Sequence, residues 1–342
     1  MKAVIWKDTD CVEFTDVPEP ECKPGWVKIK VMAVGLCATE VHMITGAFNG
    51  GKPPHILGHE ICGDIVDLGK DCNPELLGKR VVAETYVGCG KCFFCRTGRK
   101  HLCNAGEIGY PPYNGGDAQY VVVPQSCVHI IPDSISYDEG GIMEAVACPF
   151  GALLSSGFQM GKTVLVQGAG VAGLSFIQSA KAAGAGKVIC AVRNDVKAEQ
   201  ARYFGADVIV DLRKENLRER VWEETDGLGV DFSVDAAGAA KTVNEAVSTV
   251  INGGHVILYG IPSDNEKIWF PVTEMILRQI TVCGYTGNEF GWEPLIKLTA
   301  EKKINLRDMI SYTYPLSDFD KALEQMKNKP QDLIKIVLHP WD

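Results

Sequence analysis

The chain has 342 residues, 13 cysteines and a formal net charge of -9. That length exceeds what one hydrophobic core usually supports, so two domains are expected, and an acidic balance with no run of lysine or arginine argues against a nucleic-acid partner. No apolar stretch is long enough to span a membrane, and residues 1–6 lack the apolar core and cleavage site of a signal peptide, so a cytoplasmic protein is expected, with cysteines serving as thiols and metal ligands rather than disulfides.

From the start to about residue 147, β-branched runs at 27–34, 64–68, 80–83 and 120–123 alternate with Gly, Pro and Asn clusters, which reads as an all-β unit. From about residue 163 the pattern changes. Apolar strands at 163–167, 187–192, 207–210, 231–235 and 255–259 now alternate with helix-length segments, 173–183 and 196–204 among them. Strand, helix, strand at that spacing predicts a doubly wound parallel sheet, and the chain as a whole is read as α/β. Two helix-like stretches, 292–301 and 316–326, and a strand-like run at 333–338 complete it.

The strand at 163–167 runs into Gly168-Ala169-Gly170-Val171-Ala172-Gly173, a G-x-G-x-x-G that opens a helix. Gly168 suits a tight turn, Gly170 lets backbone approach a pyrophosphate, and Gly173 permits close helix–strand contact; the helix N-terminus then faces the phosphates. The bland alternative is a glycine-rich turn without ligand. At the end of the next strand, where an NAD site offers a carboxylate to the ribose, stand Val192, Arg193 and Asn194. A guanidinium without a carboxylate accepts a 2′-phosphate, so NADP is favoured over NAD; Asp195 lies close by, and Arg193 as a solvated loop residue is the competing reading.

Cys89, Cys92, Cys95 and Cys103 give C-x2-C-x2-C-x7-C in one glycine-containing loop. Four thiolates close every position around a tetrahedral zinc, so the predicted site is structural. An iron–sulfur cluster uses similar spacing, but nothing else in the chain points to electron transfer. Two further segments bring metal-binding groups, Gly35-Leu36-Cys37-Ala38-Thr39-Glu40-Val41-His42 and Gly58-His59-Glu60-Ile61-Cys62-Gly63. Taken singly, each is as readily a core cysteine or histidine as a ligand.

Together with the cysteine cluster, the glycine loop and a late G-G-H-V-I-L-Y-G at 253–260, these segments make the chain resemble the zinc-containing medium-chain dehydrogenases, the family of alcohol, sorbitol and threonine dehydrogenases. The resemblance covers essentially the whole length. It implies a GroES-like β-rich catalytic domain (1–147), a Rossmann cofactor domain (148–285) and a C-terminal return to the first domain (286–342). Two zincs per chain follow, one structural and one catalytic. Cys37 and His59 resemble the fixed ligands of the catalytic zinc. Its third ligand stays open between Glu60 and Glu144, the latter matching the glutamate that sorbitol-dehydrogenase-like members place beside the metal.

By the same resemblance Thr39 is the relay hydroxyl and His42 passes the proton to solvent, with a surface histidine as the alternative. Glu40 stands where the family usually has an aspartate that orients the ligand histidine, which puts that role in question. The implied cofactor contacts are Gly168, Gly170, Val171, Ala172, Gly173, Val192, Arg193, Lys197, Gly260 and Lys335, the two lysines being equally readable as solvated. Met43, Phe48 and Tyr110 are pocket candidates by the same resemblance, with a place in the core as the alternative for each, and Cys62, Cys127, Cys148, Cys190 and Cys283 are read as core. Sorbitol dehydrogenases carry an arginine near the segment 284–288, and none is present here. The implied activity is hydride transfer between a secondary alcohol or polyol and NADP or NAD. The alternatives are an L-threonine-type amino-alcohol dehydrogenase and a non-enzymatic structural member of the fold. Relatives are homodimers or homotetramers, and the same is expected here.

Overall fold

The computed structural model describes residues 1–262, 267–287 and 291–342; Asn288, in the segment read above for a missing arginine, lies outside them. The chain divides into two units, Met1–Ala145 with Leu306–Asp342, and Val146–Asn305. In chain order the first unit carries β1 (Lys2–Asp8), β2 (Cys11–Asp16), β3 (Trp26–Leu36), α1 (Ala38–Ile44), β4 (Glu60–Leu68), β5 (Arg80–Ala83), α2 (Phe93–Arg96), β6 (Tyr120–Pro124), β7 (Val128–Ile130) and α3 (Tyr137–Gly141). The chain passes to the second unit within α4 (Met143–Ser155). There follow β8 (Thr163–Gln167), α5 (Val171–Ala182), β9 (Lys187–Val192), α6 (Asp195–Tyr203), β10 (Val208–Asp211), α7 (Leu217–Glu224), β11 (Val230–Asp235), α8 (Ala240–Thr249), β12 (Val250–Leu258), α9 (Val272–Leu277), β13 (Thr281–Gly284) and α10 (Trp292–Ala300). Then β14 (Ile310–Pro315), α11 (Phe319–Asn328) and β15 (Lys335–His339) return to the first unit.

The first unit is built on β3, which sits mid-sheet in the order β14-β15-β3-β4-β5-β7 and also pairs with β6. Burial alternates along the first part of β3, as the two-residue period of a strand requires, but its last four residues are all buried. There β15 and β4 flank it on both edges, with Leu36 opposite Ile336 and Val34 opposite Ile61. Ile29, Val31, Leu36, Ile61, Ile65 and Leu338 share one apolar core with Phe319, Ala322 and Leu323 of α11, whose i, i+3, i+4 spacing lays one helix face on it.

In the second unit six strands run parallel in the order β10-β9-β8-β11-β12-β13. Strand order reverses between β8 and β11, so the carboxyl end of β8 is the switch point of a doubly wound sheet, where such folds take their ligands. The α/β reading of the sequence holds.

The boundaries differ from those expected. Residues 286–305 were expected with the C-terminal return, yet the second unit keeps chain up to Asn305. Trp292, Leu295 and Ile296 bury one face of α10. Gln178 of α5 clasps Asn305 from both sides, accepting from its N–H at 2.7 Å and donating to its carbonyl at 3.3 Å.

Candidate functional site: two metal-binding clusters and a glycine loop

The antiparallel register of β3 and β4 sets Gly35 opposite Glu60, and so brings Cys37, just past the end of β3, to His59 and Glu60 at the start of β4. Ligand atoms of Cys37, His59 and Glu60 lie within 4.8 Å of one another. Cys37 is the N-cap of α1, and Glu40 closes the turn by accepting the Cys37 N–H on Oε2 at 3.0 Å. The other oxygen of Glu40 lies 3.2 Å from His59 Nδ1. A glutamate at this place therefore brings a carboxylate oxygen up to Nδ1, though not in hydrogen-bond geometry, and leaves Nε2 for a metal. Thr39 Oγ1 stands 3.6 Å from Cys37 Sγ, and His42 is exposed on the same helix.

Glu60 is fully buried, as nearly are Glu40 and Glu144. Its Oε1 holds the Lys335 ammonium, while Oε2 is buried without a hydrogen-bond partner among the described residues and packs on Gly35, where a Cβ would overlap it. Burial pushes the Glu60 carboxyl above its usual range, against the pull of Lys335. Glu144, in the first turn of α4, accepts a hydrogen bond from Thr85 Oγ1 at 3.2 Å, and its charge is close enough to disfavour that of Glu60. Several acids thus surround one buried ammonium. A divalent cation taking a thiolate, an imidazole and the free carboxylate oxygen fits this donor set.

The second cluster is local. Cys89, Cys92, Cys95 and Cys103 also place their sulfurs within 4.8 Å of one another. Backbone amides point at them: Cys92 N–H donates to Cys89 Sγ at 3.3 Å, Cys95 N–H to Cys92 Sγ at 3.5 Å, and Cys89 N–H to Cys103 Sγ at 3.5 Å. The amides of Lys91 and Cys92 pull the Cys89 thiol down to about 6, which favours the thiolate a zinc needs, while burial pushes the Cys95 thiol up to about 11.

In the second unit the glycine loop follows β8. Gly168 takes φ +100°, a conformation other residues avoid, and a Cβ on Gly173 would overlap the Gly168 carbonyl. Gly170 is exposed with open space beside its Cα and caps α5, so backbone N–H groups at Val171 and Ala172 head a helix N-terminus free for an anion. A Cβ on Gly260 would overlap Gly238, which closes the loops beyond β11 and β12. Val192 is buried at the end of β9 and Arg193 is exposed just beyond it. Asp195, the nearest carboxylate in sequence, is bound to Arg213 at 2.5 Å. Lys197 donates to Gln200 at 2.8 Å.

Two expectations are corrected. Lys335 was expected at the cofactor, but β15 pairs with β3 through Ile336 and Leu36, and this carries Lys335 inside. It is 3 % exposed, with its ammonium on Glu60 and on the Leu36 carbonyl at 3.0 Å. Met43 was a pocket candidate and belongs to the core at 1 % exposure. Tyr110 does face the centre, its ring 5.4 Å from that of His59, whereas Phe48 is exposed. Asp117 escaped the sequence reading. It is fully buried, neither carboxylate oxygen has a hydrogen-bond partner among the described residues, and a Cβ on Gly58 would collide with it. Burial, then the neighbouring Glu40, raises its pKa well above the carboxylate range. An aspartate after two glycines reads as a turn residue, so no local signal marks it.

Residues 23–133 match the family model described as alcohol dehydrogenase GroES-like domain, and residues 172–301 match that of zinc-binding dehydrogenase. The chain is 30 % identical to sorbitol dehydrogenase of Bacillus subtilis (strain 168), covering 99 % of this chain and 97 % of that protein. It is 34 % identical to L-threonine 3-dehydrogenase of Pyrococcus abyssi (strain GE5 / Orsay), covering 92 % of each. Among solved structures it is similar to a zinc-binding dehydrogenase from Sinorhizobium meliloti 1021 bound to NADP, with TM-score 0.92, 31 % identity and 99 % of each chain covered. Fold, paired metal clusters and these likenesses over the full length agree: the chain belongs to the family of zinc-binding, medium-chain alcohol dehydrogenases.

Proposed function

We propose that the chain transfers hydride reversibly between a secondary alcohol or polyol and a nicotinamide dinucleotide, NADP in preference to NAD. The observation that carries this is the convergence of Cys37, His59 and Glu60 ligand atoms within 4.8 Å beside a second, closed four-cysteine site. Cys37, His59 and Glu60 would hold the catalytic zinc, and Cys89, Cys92, Cys95 and Cys103 the structural one. Glu60 is favoured over Glu144 as third ligand, because it has a buried oxygen free while Glu144 takes the Thr85 hydroxyl.

When bound, zinc supplies Lewis acidity that makes an alcohol hydroxyl easier to deprotonate, and the nicotinamide accepts the hydride. The chain's own part is positional. Glu40 sets one carboxylate oxygen against the His59 ring at 3.2 Å, and its other oxygen ties down the Cys37 backbone. Thr39 places a hydroxyl beside Cys37, where it can take the proton the alcohol gives up, and exposed His42, one helical turn on, delivers it to water. Gly168, Gly170, Val171, Ala172 and Gly173 would cradle the pyrophosphate, with Val192, Arg193, Lys197 and Gly260 around the nucleoside.

The reading is tested by metal analysis together with a panel of secondary alcohols, polyols and amino alcohols with both cofactors. Two zincs per chain and turnover of a secondary alcohol are expected; a chain that takes up no zinc overturns the reading. Self-association as a homodimer or homotetramer belongs to it, supported by exposed Trp269, Val272, Ile276 and Leu277 on and before α9, and light scattering tests it. A cytoplasmic location also belongs to this reading. No helix among the described residues is long and apolar enough to cross a membrane.

A further inference from the structure

Beyond Ala83 the chain leaves β5 and enters the four-cysteine lobe through residues 84–88, and it returns through 104–108. The two passages are laced together as a neck. Ile108 N–H donates to the Thr85 carbonyl at 2.8 Å and Val87 N–H to that of Gly106 at 3.0 Å, with an antiparallel bridge between Tyr86 and Glu107. Glu84 and Thr85 are 2 % and 3 % exposed. Adjacent in sequence, they reach in different directions. Glu84 holds the ammonium of Lys100, three residues before the ligand Cys103, with His129 Nε2 at 3.6 Å, and Lys100 also donates to the Ser126 carbonyl at 3.1 Å. Thr85 instead donates its hydroxyl to Glu144 Oε1 at 3.2 Å, and the Glu144 charge in turn acts on Glu60. Two consecutive buried residues therefore touch the metal lobe on one side and, on the other, Glu144, whose charge acts on Glu60.

We propose that Thr85 is a positioning residue for Glu144, and that the Glu84–Lys100 pair fixes the neck so that the four-cysteine lobe sets the carboxylate geometry at the Cys37–His59–Glu60 centre. The inference rests on the two-metal reading above. Physically, the buried hydrogen bond from Thr85 contributes to the orientation of the Glu144 carboxylate, and the hydroxyl that makes it is only as well placed as its backbone. That backbone is pinned by the Ile108 amide and by the charge pair one residue away. A lobe folded around its metal keeps Lys100 in reach of Glu84, and a loosened lobe lets Thr85 swing.

The test uses the fully metal-loaded chain, wild type against Thr85→Val, Thr85→Ser, Lys100→Met and Glu84→Gln. The readouts are metal content, rate of metal loss from the catalytic centre to a chelator, and the visible absorption of the cobalt form. Thr85→Val keeps both metals on loading but loses the catalytic one up to about 10-fold faster, with a shifted cobalt band, the low end of what loss of an outer partner costs because Glu144 acts on the ligand Glu60 rather than holding the metal. Thr85→Ser, which restores the hydroxyl, returns both readouts to the wild-type range. Lys100→Met and the milder Glu84→Gln move the same two readouts although neither residue approaches the centre. Unchanged release and spectrum in Thr85→Val overturn the proposal, as does a Lys100 or Glu84 effect confined to the four-cysteine metal. A wild-type chain that loads metal only at the four cysteines overturns the two-metal reading and this inference together; two metals with unmoved variants overturn this inference alone.

Discussion

Replacing Lys335 by Met tests the buried charge balance at the Cys37–His59–Glu60 cluster. Lys335 is 3 % exposed and Glu60 0 %, so their pair is shielded from water. Removing one partner of such a pair leaves an uncompensated charge and costs about 3–5 kcal/mol. For a unit of this size each kcal/mol moves the melting temperature by roughly 2–4 °C, so the metal-free variant should melt roughly 6–20 °C lower. Burial already raises the Glu60 pKa; proton uptake by Glu60 then relieves part of the cost, placing the result toward the lower end of that range. The double variant Lys335→Met with Glu60→Gln removes the stranded charge and should recover most of the loss. Zinc should also stabilise the single variant more than the wild type, because Glu60 Oε1 no longer serves the ammonium. Calorimetry with and without zinc reads all three effects. A loss below about 1 kcal/mol in the single variant, or a double variant no more stable than the single, refutes the assignment of Lys335 as the counter-charge of Glu60.

Three further outcomes follow from the same geometry. Glu40→Ala releases the His59 ring and the Cys37 amide together and should weaken catalytic zinc binding by about 10- to 100-fold while leaving the four-cysteine metal in place, as competitive chelation will show. Arg193→Ala should reduce the NADP-to-NAD ratio of kcat/KM by about 10-fold or more, since a guanidinium at a 2′-phosphate makes a charge-assisted contact; an unchanged ratio removes Arg193 from cofactor choice. His339 accepts charge readily because Asp138 lies 2.8 Å from Nε2, raising its pKa in the folded chain. A raised folded pKa contributes stability that is complete below the unfolded value, near 6.5, and is lost as pH rises through the folded value. The melting difference between wild type and His339→Ala should therefore be larger at pH 6 than at pH 9; the reverse order contradicts the pairing.

Some of this could be read along the chain and some could not. The four cysteines lie within one loop, and the glycine loop sits between its own strand and helix, so spacing alone carries their chemistry. Glu40 shows where such reading stops. Whether one extra methylene still reaches His59 depends on the angle between α1 and the β3–β4 pair, which no local pattern encodes. Asp117 is similar: its burial comes from the Gly58 turn folding over it, nearly sixty residues away in sequence. Residues 286–305 were misplaced because apolar periodicity shows that α10 has a face to bury, not which core receives it.

The sequence by itself determined the strand–helix alternation from residue 163 on, the glycine-rich turn after β8 and the cysteine lobe, because each depends on contacts between residues a few positions apart; it read residues 1–147 as all-β and so missed α1, α2 and α3. The tertiary structure alone decided that Cys37, His59 and Glu60 meet, that Lys335 faces inward to Glu60 rather than toward a cofactor, and that Thr85 touches Glu144. Those contacts follow from strand register across the sheet and from chain that returns about three hundred residues later. Register is set by the burial of whole strand faces, a property of the assembled core.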